Sequence, residues 1–339
     1  MSKKIRWGII GCGDVTEKKS GPGFQKAMNS ELVAVMRRTA DKAKDYALRH
    51  HVRKWYDDAD KLINDPEVDA VYIATQPETH KYYTICVAEV KKPVYVEKPM
   101  ARTFQECQDM ISVCKKNHVP LFCAYYRRSL PKFLKVKDLL ESGVIGETRS
   151  VRVVLSQMPQ AALYDIDPPP WRVIPQISGG GFFFDLASHT LDLLDFYFGP
   201  ISSACGHAEN QINAYPAEDI VSSSFIFENG IVGSGLWCFT SNIKEDRVEI
   251  LGQKGKIVFS TFYSDPITID SGSRMKKIRI KHPVHIQQPH IQSVVNEILG
   301  KGQCPSHGDS ASRTSWVMDQ IINSWRIYKG IKFDEQETS

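Results

Sequence analysis

Ile5-Arg6-Trp7-Gly8-Ile9-Ile10 runs straight into Gly11-Cys12-Gly13-Asp14-Val15-Thr16, an apolar stretch of strand length followed at once by G-x-G. Between a strand and a helix, such glycines make a tight turn and let the backbone approach a dinucleotide pyrophosphate, whose charge rests on helix amides. Gly11, Cys12, Gly13, Asp14 and Val15 are therefore candidate cofactor contacts. Thr16 stands where this fingerprint usually has Gly or Ala for close helix-to-strand packing, so the motif by itself suits a plain glycine-rich turn equally well.

The sequence around it narrows the choice. A helical stretch to about Met28 leads to the β-branched run Glu31-Leu32-Val33-Ala34-Val35-Met36, then Arg37-Arg38 and a helical Ala40 to Arg49, closing a β-α-β unit. Ala70 to Ala74, Pro93 to Val96 and Leu121 to Ala124 read as further strands, each preceded by a helical segment. Strands alternating with helices, with no hairpin turns between, predict a doubly wound parallel sheet, with ligands in the loops after the strands.

At 339 residues, 42% hydrophobic and 24% charged, the chain exceeds one typical core and has globular composition, so two domains are expected. Lys and Arg number 43 against 39 Asp and Glu; the net +4 gives no reason to expect a nucleic acid or an anionic membrane as partner. Eight cysteines without a C-x-x-C pair or Cys/His cluster argue against structural zinc and a disulfide framework. No stretch approaches the ~20 apolar residues of a spanning helix, and Met1 to Lys4 is not followed by a signal-like apolar run. A soluble, cytoplasmic protein with reduced thiols and no metal is expected.

The loop Thr75-Gln76-Pro77-Glu78-Thr79-His80 and the strand end Glu97-Lys98-Pro99 add chemistry, and the second half adds Trp171-Arg172, Ser178-Gly179-Gly180-Gly181, Asp185 and His189. In this order and spacing, covering most of the chain, these elements closely resemble the glucose-fructose oxidoreductase and inositol dehydrogenase family of NAD(P)-dependent enzymes. The resemblance implies an N-terminal Rossmann domain, residues 1–123, and a C-terminal α+β substrate-binding and oligomerisation domain, residues 124–339. It places Thr75, Gln76, Pro77, His80, Glu97, Lys98, Trp171 and Arg172 near the cofactor, His80 without a part in proton transfer. The family often has Asn at the position of Ala124.

Hydride transfer needs a cation for the substrate oxygen and a titratable group for its proton, and Lys98 and His189 are the candidates. Lys98 could instead be a solvated surface lysine, but Pro99 favours an extended backbone that aims it out of the strand end. Asp185 lies four residues before His189, so on a helix it shares a face and can orient the ring, unless it only caps that helix. The glycine run permits close backbone approach, and Phe182-Phe183-Phe184 would supply apolar walls. His50, His51, His118 and His307 have no such context and read as surface residues.

Where an NAD enzyme places an acid after its second strand, this chain has Arg37-Arg38, whose planar forks suit a 2′-phosphate; NADP is expected, with NAD the alternative. The other reading makes them loop arginines, one stacked on adenine, with Asp41 an acidic partner if the loop folds back. Tyr126, Arg128, Trp171 and Arg172 are candidate contacts to a polyhydroxylated substrate, though Tyr and Trp also make ordinary core residues, and Lys98, Asp185 and His189 would share that site. After a helix at Pro131 to Glu141 and a strand at Thr148 to Ser156, hairpin signals at 221–240 and 247–260 predict an open, largely antiparallel sheet, with helices at 286–299 and 310–328. The resemblance implies that this sheet pairs subunits into a homo-oligomer. Three functions remain open: an NADP-dependent dehydrogenase or reductase on a sugar or polyol, a redox-neutral nicotinamide-dependent glycosidase, and a non-catalytic nucleotide sensor.

Overall fold

The computed structural model describes residues 3–158 and 168–333. The N-terminal Met1-Ser2, most of the expected loop before Pro168 and the last residues of the second domain lie outside the described residues.

Six strands form the first sheet: β1 (Ile5–Ile10), β2 (Ser30–Met36), β3 (Lys54–Tyr56), β4 (Ala70–Ile73), β5 (Val94–Val96) and β6 (Leu121–Cys123). Their order is β3-β2-β1-β4-β5-β6 and every pairing is parallel. The order reverses between β1 and β4, and there the carboxyl ends of the strands open a crevice. The strands are short and almost wholly buried because helices cover both faces, which explains their unbroken apolar runs.

The expected helix to Met28 is two short helices, Asp14–Lys18 and Gly21–Lys26. The carbonyl of Thr16 accepts the Tyr46 hydroxyl at 3.0 Å, and a Cβ at Gly21 would lie 2.3 Å from that same oxygen. The chain therefore doubles back over Thr16 instead of continuing.

The second sheet has eight strands: β7 (Thr148–Ser156), β8 (Ile201–Glu209), β9 (Ile220–Phe227), β10 (Val232–Cys238), β11 (Glu245–Gly252), β12 (Gly255–Phe259), β13 (Ile267–Asp270) and β14 (Met275–Ile278). Its order is β14-β13-β12-β11-β7-β10-β9-β8, antiparallel except for the β7–β10 pair. Alternation is clean: Val151, Val153 and Leu155 face a core shared with the helix Ser188–Phe198, while Arg152 faces out.

A boundary at 123/124 separates the two sheets but not the two cores. The helix Gln288–Ile298 returns to the first domain, where Ile291, Val294 and Val295 pack with Trp7, Phe24, Tyr72 and Tyr95. The helix Gly308–Tyr328 likewise places Ala311 against the opposite face of the parallel sheet. These apolar side chains belong to the N-terminal core although they come from the C-terminal half, and full burial of Ile291, Val294 and Val295 is worth about 1.5–3 kcal/mol each. Ile291→Ala should accordingly cost about 2–5 kcal/mol of global stability by urea unfolding and weaken dinucleotide binding, although residue 291 does not line the cleft.

Candidate active site

The strand ends at the switch point and the facing second domain enclose a cleft of about 700 Å³. One wall is Gly11 to Val15, Met36 to Thr39, Ala74 to Thr79, Glu97 and Lys98; the other is Tyr126, Arg127, Trp171, Arg172, Asp185, Leu186, His189, Phe262 and Gln287.

At the first wall, Gly11 has φ +89°, a conformation that disfavours a side chain, and a Cβ there would lie 2.7 Å from Thr75. Its amide and that of Cys12 both donate to the Met36 carbonyl, at 2.9 and 3.1 Å, tying the loop to the end of β2. Thr16, the departure from the fingerprint, is fully buried; its hydroxyl accepts from the Gly13 amide at 2.9 Å and donates to the Gly13 carbonyl at 2.8 Å. A hydroxyl thus closes the turn that the usual small residue leaves to packing. Space remains open above Gly13, where an added Cβ would meet nothing nearer than 3.9 Å, and the amides of Asp14 and Val15 open a helix turn where the backbone offers no acceptor. Burial pushes the Cys12 thiol up to about 11, so it stays protonated.

Arg37 and Arg38 follow β2 at the cleft rim, and among the described residues neither has a carboxylate within ion-pair distance, Asp41 included. Thr75, Gln76 and Pro77 line the wall, and Thr79 holds this loop through Thr75 and Gln76. His80 does not line it. Its ring is fully buried, with Nε2 3.1 Å from the Thr75 carbonyl and Nδ1 3.1 and 3.2 Å from those of Pro99 and Met100. The expected cofactor contact is instead a tie between two cofactor-facing loops, and burial lowers the pKa of this imidazole.

Glu97 is buried and saturated. Oε1 accepts from the Tyr72 hydroxyl at 2.5 Å and Gln287 Nε2 at 3.0 Å, and Oε2 accepts the Lys98 amide at 3.0 Å. The Lys98–Pro99 peptide is cis. Lys98 Nζ then crosses to the second domain, donating to Asp185 Oδ1 at 2.5 Å and to its carbonyl at 2.9 Å, while Arg172 Nε stands 3.6 Å from Oδ2. Lys98 is not a solvated surface residue. Burial would raise the Asp185 pKa, but Lys98 and Arg172 outweigh it and hold the carboxyl below its ordinary value.

Asp185 neither caps the helix nor orients His189 through a hydrogen bond. It lies in a π-helical turn, Phe183–Ala187, ahead of the helix Ser188–Phe198. The wider turn breaks the i, i+4 alignment of an α-helix and turns the carboxylate to Lys98; such turns recur at functional sites. His189 is left with Nδ1 buried and without a partner among the described residues. Its ring lies among Tyr125, Tyr126 and Phe262, at centroid distances of 6.2, 5.5 and 6.0 Å. Burial, then the charges of Arg127, Lys98 and Lys19, drop its pKa well below the usual imidazole range, so it is neutral.

The glycine run serves the protein's own packing. A Cβ at Gly180 would meet Phe184 at 2.5 Å, and one at Gly181 would meet Ala217 and Glu218 at 2.8 Å. Phe183 and Phe184 are wholly buried in the second core and Phe182 packs on Tyr215 and Phe239; none lines the cleft.

The two adjacent arginines divide. Tyr126–Ser129 is a 3₁₀ turn, in which successive side chains diverge by about 120°. Arg128, the expected substrate contact, points inward to Asp192 at 2.7 and 2.9 Å, Asp195 at 3.0 Å and the Pro305 carbonyl, away from the cleft. Arg127, its neighbour in the same stretch, lines it with Tyr126. Trp171 and Arg172 also line it, the guanidinium 4.4 Å from the indole centroid. Gln287, Phe262, Tyr83 and Lys19 join them unannounced by any motif; Gln287 arrives from 190 positions beyond its partner Glu97. Ala124 is buried and offers only a methyl. His307 is half-buried on Glu297 and His50 on Glu17, so neither is a plain surface histidine. Among the described residues no three His, Cys, Asp or Glu gather as metal ligands, and no helix is long and apolar enough to cross a membrane.

Residues 5–125 match the oxidoreductase family with an NAD-binding Rossmann fold, and residues 133–258 match the GFO/IDH/MocA C-terminal domain. Fold and matches together define an NAD(P)-binding oxidoreductase. An oxidoreductase of Formosa agariphila is 40% identical over 323 residues, 94% of this chain and 98% of its own. The 1,5-anhydro-D-fructose reductase of Ensifer adhaerens is 26% identical over 319 residues, covering 90% and 91%. A levoglucosan dehydrogenase solved with NADH shares the fold, with TM-score 0.85 at 22% identity over 95% and 97% of the two chains. The chain belongs to the GFO/IDH/MocA family of oxidoreductases.

The buried imidazoles set an acid limit on stability. His80, His189 and His290 all have lowered pKa values through burial, His290 to about 4. Unfolded, each protonates near 6.5, so below that pH the unfolded chain binds more protons and stability falls by up to about 1.4 kcal/mol per pH unit for each ring. Urea unfolding at pH 7.5, 6.0 and 5.0 should show this loss beginning at 6.5, with a shallower slope in His290→Gln.

Proposed function

We propose that this protein is an NADP-dependent dehydrogenase or reductase that interconverts a hydroxyl and a carbonyl on a sugar or polyol. The observation that carries the reading is the Lys98–Asp185 pair beside a neutral His189 at the switch-point cleft. The dinucleotide fits the residues present: open space over Gly13, two arginines at one end without a carboxylate partner among the described residues, and at the other the buried Gln287 Oε1, an acceptor without a partner among them. Gly11 to Val15 would hold the pyrophosphate, Arg37 and Arg38 the 2′-phosphate, and Gln287 the carboxamide. When bound, the nicotinamide takes up or supplies the hydride of the carbinol carbon.

The protein's own groups manage the oxygen and its proton. Lys98, fixed by Asp185, presents a positive charge that stabilises negative charge developing on the substrate oxygen. His189, neutral, takes the hydroxyl proton during oxidation and returns it during reduction. Asp185 keeps Lys98 oriented, and Arg172 over Trp171 gives the cleft an apolar face backed by a donor. The similarity to a 1,5-anhydro-D-fructose reductase supports a sugar-like substrate. Eight free cysteines fit a cytoplasmic location, and Ile226, Val232, Leu236 and Leu251, exposed on one side of the second sheet, support pairing of subunits there.

Turnover screening of sugars and polyols with NADP+ and NAD+, followed at the nicotinamide absorbance, tests the reading directly. Lys98→Met should retain the fold and cofactor affinity and lose turnover on the order of a hundredfold or more. Native turnover in that variant would end the catalytic assignment. His189→Ala should also slow turnover, and because the ring's pKa is depressed the acid limb of wild-type oxidation should lie below pH 6.5. Arg37→Asp with Arg38→Ala should reverse a preference for NADPH over NADH in a binding titration; equal affinities in the native protein would refute the 2′-phosphate site.

A further inference from the structure

Arg127 and Arg128 are neighbours, both almost fully buried at 7% and 4% exposure, and their electrostatic settings are opposite. Arg128 is neutralised by Asp192 and Asp195. Arg127 has only uncharged acceptors: Nε donates to the Thr261 carbonyl at 3.1 Å and Nη1 to the Tyr126 hydroxyl at 3.0 Å. No carboxylate among the described residues comes within ion-pair distance of it. Asp246, under the same loop, spends its oxygens on the amides of Thr261, Phe262 and Tyr263.

The Arg127 guanidinium carbon lies 5.0 Å from the ring centroid of Tyr126 and 4.7 Å from that of Phe262. With Nε and Nη1 already engaged, Nη2 is left to offer donors to a partner in the cleft that Arg127 lines. Burying a cation without a counter-ion costs several kcal/mol, so stability does not account for this arginine. Nearby charge does not compensate it either. Asp185 is shared between Lys98 and Arg172, and both Glu97 oxygens are occupied by Tyr72, Gln287 and the Lys98 amide.

We infer that the substrate is a sugar acid, a polyhydroxylated ring or chain bearing a carboxylate, and that Arg127 is the anchor for that carboxylate. This deepens the dehydrogenase reading above and rests on it. Arg127 stands in the same neighbourhood as His189: Tyr126 and Phe262, the rings beside the guanidinium, have centroids 5.5 and 6.0 Å from that of His189. The carboxylate thus binds in the same cleft as the carbinol that His189 serves. The N–H donors of Nη2 suit a carboxylate oxygen, and in a largely buried setting such a charge-assisted contact discriminates strongly against a neutral group. There is a chemical benefit as well. The Arg127 charge disfavours protonation of His189, and a bound carboxylate would offset it, so the acidic substrate itself makes the imidazole a better proton acceptor.

The test titrates the full-length protein, loaded with reduced cofactor, with matched pairs by calorimetry: D-glucuronate and D-glucose, D-galacturonate and D-galactose, D-gluconate and sorbitol, with D-glucose 6-phosphate as a phosphate probe. At least one acid should bind roughly thirtyfold more tightly than its neutral partner at low salt. Arg127→Met should bring the pair within about threefold, and Arg127→Lys should fall between. Thermal melts of both variants identify a folding defect, and the wild-type ratio decides without either. Equal affinities within every pair, no binding by any acid, an acid preference that survives in Arg127→Met, or tighter binding of the phosphate would each overturn the inference. Turnover of the same panel separates it from the function it rests on. Neutral sugars oxidised without acid preference leave the dehydrogenase and remove the anchor, whereas an acid that binds through Arg127 without any redox turnover does the reverse.

Discussion

The ion pair between Lys98 and Asp185 joins a strand end in one domain to a π-helical turn in the other, and the site depends on it. Its lysine is held from behind by the saturated Glu97 carboxylate, and its aspartate is shared with Arg172. Such a pair is not chiefly a source of stability, because desolvating two charges consumes most of their attraction. Its value is positional. It sets the lysine ammonium at a fixed point in the cleft and leaves the imidazole of His189 without a carboxylate to orient it, and the ammonium's charge adds to the burial that keeps that ring neutral.

Much of this was legible in the chain. Buried parallel strands are short apolar runs, and the G-x-G after β1 and the Lys98 strand end are local patterns that survive folding almost unchanged, whereas the Asp185 to His189 spacing is broken by a π-helical turn. What the sequence concealed has identifiable physical causes. Arg127 and Arg128 look alike in a string, and only the pitch of a 3₁₀ turn sends one to the cleft and the other to the core. The glycines at 179–181 imply close approach but do not say what approaches; the answer is Phe184, Ala217 and Glu218. His80 was placed at the right loop and on the wrong side of it, since a histidine's direction depends on which carbonyls lie nearby. Gln287 belongs to no motif and reaches the site by tertiary packing alone. The strands β3, β8, β13 and β14 escaped notice because edge and near-edge strands are only half-buried and carry a diluted apolar pattern.

Electrostatics divides the cleft into two kinds of neighbourhood. At the rim, Arg37 and Arg38 are partly or fully exposed and water screens them, so their contribution to binding varies with ionic strength. Deeper in, Lys98, Arg127 and Asp185 are shielded by aromatic rings and domain walls, where each charge acts strongly on its neighbours. The rim is suited to capture and the interior to discrimination, a division that follows from burial.

The return of the helix Gln288–Ile298 to the parallel sheet has a consequence for how the chain is made. On the ribosome, the first six strands emerge with one sheet face lacking Ile291, Val294 and Val295. At about 5–20 residues per second, the missing cover arrives on the order of ten seconds or more later. During that interval Trp7, Phe24 and their neighbours present an open apolar surface on a nascent polypeptide. The dinucleotide-binding half therefore matures after translation of the other half rather than before it, and its exposed intermediate is a natural client for chaperones that bind emerging chains.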